Sequence, residues 1–180
     1  MITVIDTIKS RRSIRAYTDQ PVNRDLIAQV LEAATYAPSA SNRQWWRITA
    51  VTNKATIDRF TAAVKAANAR KGQHMREGWQ FGFGAPVVVL ISMPQNYSAA
   101  PWDAGCAAEA LFLAAASLGL GTCWFGTLGG SMSDEPEVRA LLDEIGVPVN
   151  HTVHVSTPLG YPAEEKVAGP RAEGATVIVG

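Results

Sequence analysis

Pro86-Val-Val-Val-Leu-Ile-Ser92 and, after a short link, Pro101-Trp-Asp-Ala-Gly-Cys-Ala-Ala-Glu-Ala-Leu-Phe-Leu-Ala-Ala-Ala-Ser-Leu118 are two strongly apolar stretches of this chain. The first is a β-branched run suited to a strand buried on both faces. The second reads as a helix with almost no polar face, which places it centrally. Its most apolar part, Cys106 to Leu118, is too short for a membrane span and contains Glu109, so it reads as a buried helix. A strand and a helix that both need cover on every side imply a sheet with helices packed over it.

The flanking segments extend that frame. Val4 to Ser10 reads as a short helix, Pro21 breaks the chain, and Asn23 is a helix N-cap. Leu26, Ile27, Val30, Leu31 and Ala34 then recur at helical spacing, and Pro38 closes the segment. Arg47 to Thr52 reads as a strand, followed by a helix from about Ala55 to Ala69. Gly119 and Gly121 end the long helix, and Thr122 to Gly126 leads out as a short strand. Asp134 with Glu137 resembles a capping box for a helix to about Glu144. Thr152 to Leu159 and Ala175 to Val179 read as two more strands. Helices and strands alternate, but several links are short or lack a crossover helix. The expected fold class is therefore α+β, with a helix-covered, mostly antiparallel mixed sheet, and residues 1–180 form one domain.

Composition narrows the function classes. The chain has 16 basic and 16 acidic residues, a balance that argues against a nucleic-acid surface. The start lacks the long apolar core of a signal peptide, and Asp6 interrupts its apolar residues. Two cysteines, Cys106 and Cys123, make no disulfide framework and fit a reducing cytoplasm. Neither has a His or carboxylate at motif spacing, so both read as core residues. His151 and His154 lie three apart on an expected strand, where side chains alternate, so they do not chelate one metal. Gly119-Leu-Gly-Thr follows a helix and precedes a strand, the reverse of a dinucleotide fingerprint.

Against this neutral background, residues 11–15 read Arg-Arg-Ser-Ile-Arg. Three guanidinium groups and a hydroxyl suit a phosphate, which takes charge-assisted bidentate bonds. A solvated basic helix end would carry the same residues. Pro38-Ser-Ala-Ser-Asn-Arg-Gln44 is the second informative stretch. Its hydroxyls and amides suit a heterocycle with mixed donors and acceptors, and equally an ordinary helix-ending loop. Trp45 and Trp46 follow, either to pack on a ring or to fill core.

Together, and in this order, the two stretches resemble the FMN-dependent nitroreductase family. Arg11-Arg-Ser-Ile-Arg-Ala-Tyr17 resembles its opening signature, and Ala37 to Gln44 its second. Leu118-Gly-Leu-Gly-Thr-Cys-Trp-Phe-Gly126 and Leu159-Gly-Tyr-Pro162 resemble the third and fourth. The resemblance covers essentially the whole chain. It implies a three-layer fold and an intertwined homodimer with FMN at the subunit interface. Arg11, Arg12 and Ser13 would hold the phosphate end, with Arg171 approaching it, and Arg15 would lie by the pyrimidine edge, where reduced flavin carries charge. Pro38, Ser39, Ala40, Ser41, Asn42 and Gln44 would come partly from the other subunit, and backbone groups of Phe125 and Gly126 would face N5. Three departures stand out. Trp45 replaces a usual proline, Ala110 replaces a usual asparagine after Glu109, and a usual Lys-x-Arg is spread out as Lys166 and Arg171.

The implied activity is that of an FMN-dependent oxidoreductase. NADH or NADPH would give up a hydride, and a nitroaromatic, quinone or related electron-poor acceptor would be reduced in a second step. No catalytic acid–base residue and no metal is required, because the flavin carries the chemistry. The alternatives are a flavin-binding protein without turnover, used for sensing or storage, and a dehalogenase or flavin-fragmenting enzyme on the same scaffold. Residues 66–83, with His74, Met75, Arg76, Trp79, Phe81 and Phe83, read either as a lid or as packed surface aromatics. The expected partners are a second copy and a small molecule, with neither nucleic acid nor membrane.

Overall fold

A computed structural model describes residues 3–180. Helix α1 (Val4–Ser10) starts at a capping box: Thr3 Oγ1 accepts from the Asp6 N–H, and the Asp6 carboxylate accepts from the Thr3 N–H. Helix α2 (Arg24–Thr35) starts at Asn23, whose Oδ1 accepts from the Asp25 N–H at 2.8 Å. Strand β1 (Arg47–Val51) and helix α3 (Lys54–Arg70) follow, the helix capped by Asn53. Strand β2 (Val87–Pro94) leads to helix α4 (Ala100–Ser117), and then come strand β3 (Gly121–Thr122), helix α5 (Pro136–Glu144) and strand β4 (His151–Gly160).

The strands lie in the order β1-β2-β4-β3, with every ladder antiparallel. A parallel bridge from Ser13 to Thr122 adds the mixed element at the β3 edge. The period-2 rule sorts β2 into two cores. Val87, Val89, Ile91 and Met93 face α2 and α4, whereas Val88 and Leu90 face α3 and α5. The result is three layers, and burying each large aliphatic or aromatic side chain contributes roughly 1.5–3 kcal/mol. Ile91 pairs with Val155 but Ser92 pairs with Val153, so His154 is the extra residue of a bulge. That bulge lets Val155 and Val153 enter opposite cores despite their even spacing.

Four sequence expectations are corrected. Cys106 is exposed, because it shares a stripe of α4 with Trp102 and Glu109 that turns away from both cores; Cys123 is buried. The expected strand Ala175 to Val179 is absent: the tail is exposed and pairs with neither sheet edge, and a strand without a partner has no ladder. Asp134 does not cap α5. It ends a 3₁₀ turn (Gly130–Asp134), while Pro136 opens the helix and makes Glu135 its cap position. The expected strand Thr122 to Gly126 is interrupted. The Cys123 N–H goes to Thr157 Oγ1 at 3.3 Å instead of a ladder carbonyl, and backbone pairing resumes at Phe125–Ser156.

Among the described residues no helix is long and apolar enough to cross a membrane, and no three His, Cys, Asp or Glu side chains cluster to hold a metal ion. Part of the segment 66–83 is packed structure. Phe81 is fully buried and stacks on Phe60 at 5.3 Å, and Trp79 packs against the same core.

Candidate functional site

The Arg cluster is extended and built onto the sheet edge. Ser13 bridges Thr122, and the Ile14 N–H donates to Thr122 O at 2.9 Å. Gly121 permits this approach, since a Cβ there would sit 3.0 Å from Ile14 Cβ. Tyr17 braces the segment from behind through a 2.6 Å bond to Ile14 O, and burial pushes its phenol well above the ordinary range.

This edge walls a pocket of about 790 Å³, within the roughly 300–1,000 Å³ typical of small-molecule sites. Arg11, Arg12, Thr122 and Lys166 line it, with the Gly119–Gly121 bend beneath. Arg12 Nη1 donates to the Lys9 and Arg11 carbonyls at 2.8 and 2.7 Å, yet its buried Nε has no acceptor. Arg11 Nε is likewise buried without an acceptor. Its nearest carboxylate, Glu109, is 3.9 Å away, beyond hydrogen-bond reach, and its guanidinium lies 5.8 Å from the Phe112 ring centroid. Lys166 Nζ donates to Ser13 O at 2.9 Å and pairs with Glu164 at 3.0 Å. The Arg15 N–H and then Lys166 hold the Glu164 carboxylate below its usual range. The pocket thus combines two buried guanidinium Nε atoms that lack acceptors with the carboxylates of Glu164 and Glu165, which also line it.

Arg15 itself is exposed, its side chain reaching back 3.4 Å to Ser13 O. Arg171 is exposed at the start of the tail and does not line the pocket. From sequence, Lys166 stands out only as a displaced family residue, and Glu164 not at all. Their one signal is nearness to the Leu159-Gly-Tyr-Pro162 motif.

Pro38 to Gln44 lies elsewhere. Ala40–Asn42 is a 3₁₀ turn in which Ser41 and Asn42 have φ near +54°, and Gln44 has φ +52°. Left-handed backbone costs an L-residue about 1–2 kcal/mol, so three such residues mark a held shape. Ser39 Oγ accepts from the Gln44 N–H at 3.1 Å, and Gln44 Nε2 donates to Asn42 Oδ1 at 2.7 Å. The Ala40 N–H donates to Asp103 in the first turn of α4. The Arg pocket lies at the other end of that helix, near Ala116. Arg11 lies against Glu109 and Phe112, so at about 1.5 Å per residue the two regions are roughly 10–20 Å apart along α4.

Phe125 exchanges backbone bonds with Ser156, at 2.9 and 3.2 Å, so its N–H is committed to the sheet. Gly126 O accepts from the Gly129 N–H at 2.9 Å, and its own N–H donates to nothing among the described residues. Phe83, at φ +56° between two left-handed glycines, meets the Phe125 ring edge-on at 5.7 Å.

The Nitroreductase family model matches residues 8–161. A protein of Archaeoglobus fulgidus with the provisional name NADH dehydrogenase/NAD(P)H nitroreductase is 32% identical over 167 residues, spanning 88% of this chain and 85% of its own. A nitroreductase of Bacteroides fragilis, solved with bound FMN, superposes with a TM-score of 0.91 at 37% identity and full coverage of both chains. Another FMN-bound nitroreductase, from Desulfitobacterium hafniense, gives 0.88 at 25% identity, again over both full chains. The family match extends from α1 through all four strands, and on that ground this chain belongs to the Nitroreductase family.

Proposed function

We propose that this chain is an FMN-dependent NAD(P)H oxidoreductase that reduces nitroaromatic, quinone or related electron-poor acceptors. The observation that carries the reading is the pocket where Arg11 and Arg12 keep buried Nε atoms without acceptors. A flavin phosphate supplies the missing oxygens, and relatives with the same fold are solved with FMN bound. In this reading Arg11, Arg12 and Ser13 hold the phosphate end, and Lys166 steadies Ser13 through its carbonyl. Arg171 closes over the phosphate from the tail. Arg15 places a fixed positive charge beside the ring edge where negative charge develops. The Gly126 N–H is the free backbone donor for the ring, while Phe125 fixes its position through Ser156.

Ser39 to Gln44 serve a different copy of the pocket. With the Arg pocket and the turn set apart along α4, a flavin in contact with both is read as bridging two chains, as the family resemblance implies. Exposed Val4, Ile5 and Ile8 on α1, Trp102 on α4 and Val177 to Val179 in the tail supply apolar surface for that pairing. When bound, FMN supplies the two-electron chemistry between NAD(P)H and acceptor.

The test is the visible spectrum of the purified protein with FMN, before and after anaerobic NAD(P)H. Retained flavin that bleaches, then recovers with a nitroaromatic or quinone, supports the reading. Flavin that stays oxidised points to binding without turnover, and a chain that takes up no FMN ends the proposal.

A further inference from the structure

The side chains of the Ser39–Gln44 turn leave it in two directions. Asn42 and Gln44 line a pocket beside Glu32, Thr35 and Tyr36 of α2 and its end. Arg43, between them, lies instead with its guanidinium 4.5 Å from the Trp45 ring centroid and 5.7 Å from that of Tyr97. Trp45 meets Tyr97 edge-on at 5.0 Å. Next to these rings the Tyr97 hydroxyl donates to Asp103 at 2.6 Å, and the Asp103 oxygens accept from the Ala40 N–H at 3.1 and 3.3 Å.

Asp103 is 4% exposed, and its hydrogen-bond donors among the described residues are these two neutral groups. No Lys or Arg pairs with it there. A buried carboxylate served by neutral donors is poor material for stability alone, since apolar packing of the same volume does as well or better. What it does achieve is local. It pins the Ala40 peptide at the start of a turn whose next residues, Ser41 and Asn42, are left-handed. With that N–H released, the turn is free to relax toward ordinary backbone.

We propose that Asp103 and Tyr97 are positioning residues that hold the Ser39–Gln44 turn in its flavin-receiving shape, and that they do so for the site of the partner copy. The assignment rests on the two-copy flavin reading above. It makes a distinctive demand: a defect at Asp103 and a defect at Arg11 on the same chain damage different flavin sites.

The experiment is FMN titration of flavin-stripped wild type, Asp103→Ala, Asp103→Asn and Tyr97→Phe, followed by flavin fluorescence. Losing a hydrogen bond to a charged group weakens FMN binding by about tenfold to a hundredfold in Asp103→Ala. Asp103→Asn keeps an acceptor for Ala40 and stays within about threefold of wild type, and Tyr97→Phe loses about threefold. Co-expressed Asp103→Ala and Arg11→Ala chains, purified as mixed dimers with two different tags, recover one site per dimer with wild-type affinity. A merely structural role predicts no such recovery.

Wild-type affinity in Asp103→Ala and Tyr97→Phe overturns the positioning role while leaving the flavin reading intact. Mixed dimers with no recovered site overturn the action across the interface. If Asp103→Ala does not fold, Tyr97→Phe decides, since it keeps the ring contacts and removes only the hydroxyl. Failure of wild type to bind FMN overturns the flavin reading, and the positioning role with it.

Discussion

At the C-terminal end of α4 the chain gathers Arg11, Arg12 and Lys166 around an open pocket; at the N-terminal end it folds a strained turn over buried Asp103. The first region holds two buried guanidinium Nε atoms without acceptors, beside the carboxylates of Glu164 and Glu165. The second has satisfied its polar groups internally, through Ser39, Asn42 and Asp103, and holds an unfavourable backbone shape. One end offers charge and the other offers form. Charge tolerates imprecise geometry, because Coulomb attraction falls off slowly, whereas a shaped turn works only if it is locked in advance. The charged end is therefore assembled from three separated segments, and the shaped end from one short loop and its support.

The largest effect is expected at the charged end. Arg11→Ala combined with Arg12→Ala removes charge-assisted bonds of roughly 1.5–3 kcal/mol each, so FMN affinity falls by about a hundredfold or more. Fluorescence titration measures this, and unchanged affinity would break the contrast at its root. Next comes Gly121→Ala, which pushes a methyl group against Ile14. Overpacking costs about 1–3 kcal/mol, lowers the melting temperature by several degrees and lifts the Arg segment from β3, loosening FMN by about tenfold.

At the shaped end, Trp45→Ala removes the Arg43 stack and the edge-on contact with Tyr97. These are worth about 0.5–1 and 0.5–1.5 kcal/mol to the turn, and with only the lower end of that sum passed on to the ligand FMN binding weakens by about fivefold. A larger loss than that of the double Arg variant would reverse the ranking of the two ends.

The smallest effect belongs to neither end. His151 sits buried near the β2–β4 bulge, its Nδ1 3.2 Å from Ser92 Oγ. Burial lowers its pKa; Ser92 opposes this, and the charges of Arg139 and Arg47 add to it. Its neutral form is thus favoured in the folded state. The flavin-free protein has full stability above the unfolded pKa of about 6.5 and loses it as pH falls toward the folded value. A drop of a few degrees in melting temperature between pH 7 and 5.5, flattened by His151→Gln, is the expected result. Burial also lowers the pKa of His154, which contributes in the same direction.

Much of this was legible in advance because it is local. Asn23 and the spacing of Ile27, Val30 and Ala34 give α2, and the valine run gives β2. Ala175 to Val179 shows the limit: its composition favours a strand, but a strand exists only with a partner. Asp134 shows another limit. Its capping spacing to Glu137 was sound, but Pro136 between them reset the helix start by one residue. Cys106 misled because α4 is apolar nearly all round, which gives no clue to the face that stays outside.

The candidate site divides along the same line. Arg11, Arg12, Ser13 and the Pro38–Gln44 stretch stood out by composition and order, since a phosphate needs guanidinium forks and a mixed heterocycle needs hydroxyls and amides. The chain's own residues thus settle most of the elements, the family resemblance and the chemical character of each stretch. Tertiary structure alone brings Lys166 to Ser13 across 153 residues and Asp103 to Ala40 across 63. It alone places the charged pocket and the shaped turn at opposite ends of one helix. Periodicity and capping act within a few residues, whereas these contacts follow from how α4 packs on the sheet, which no local pattern specifies.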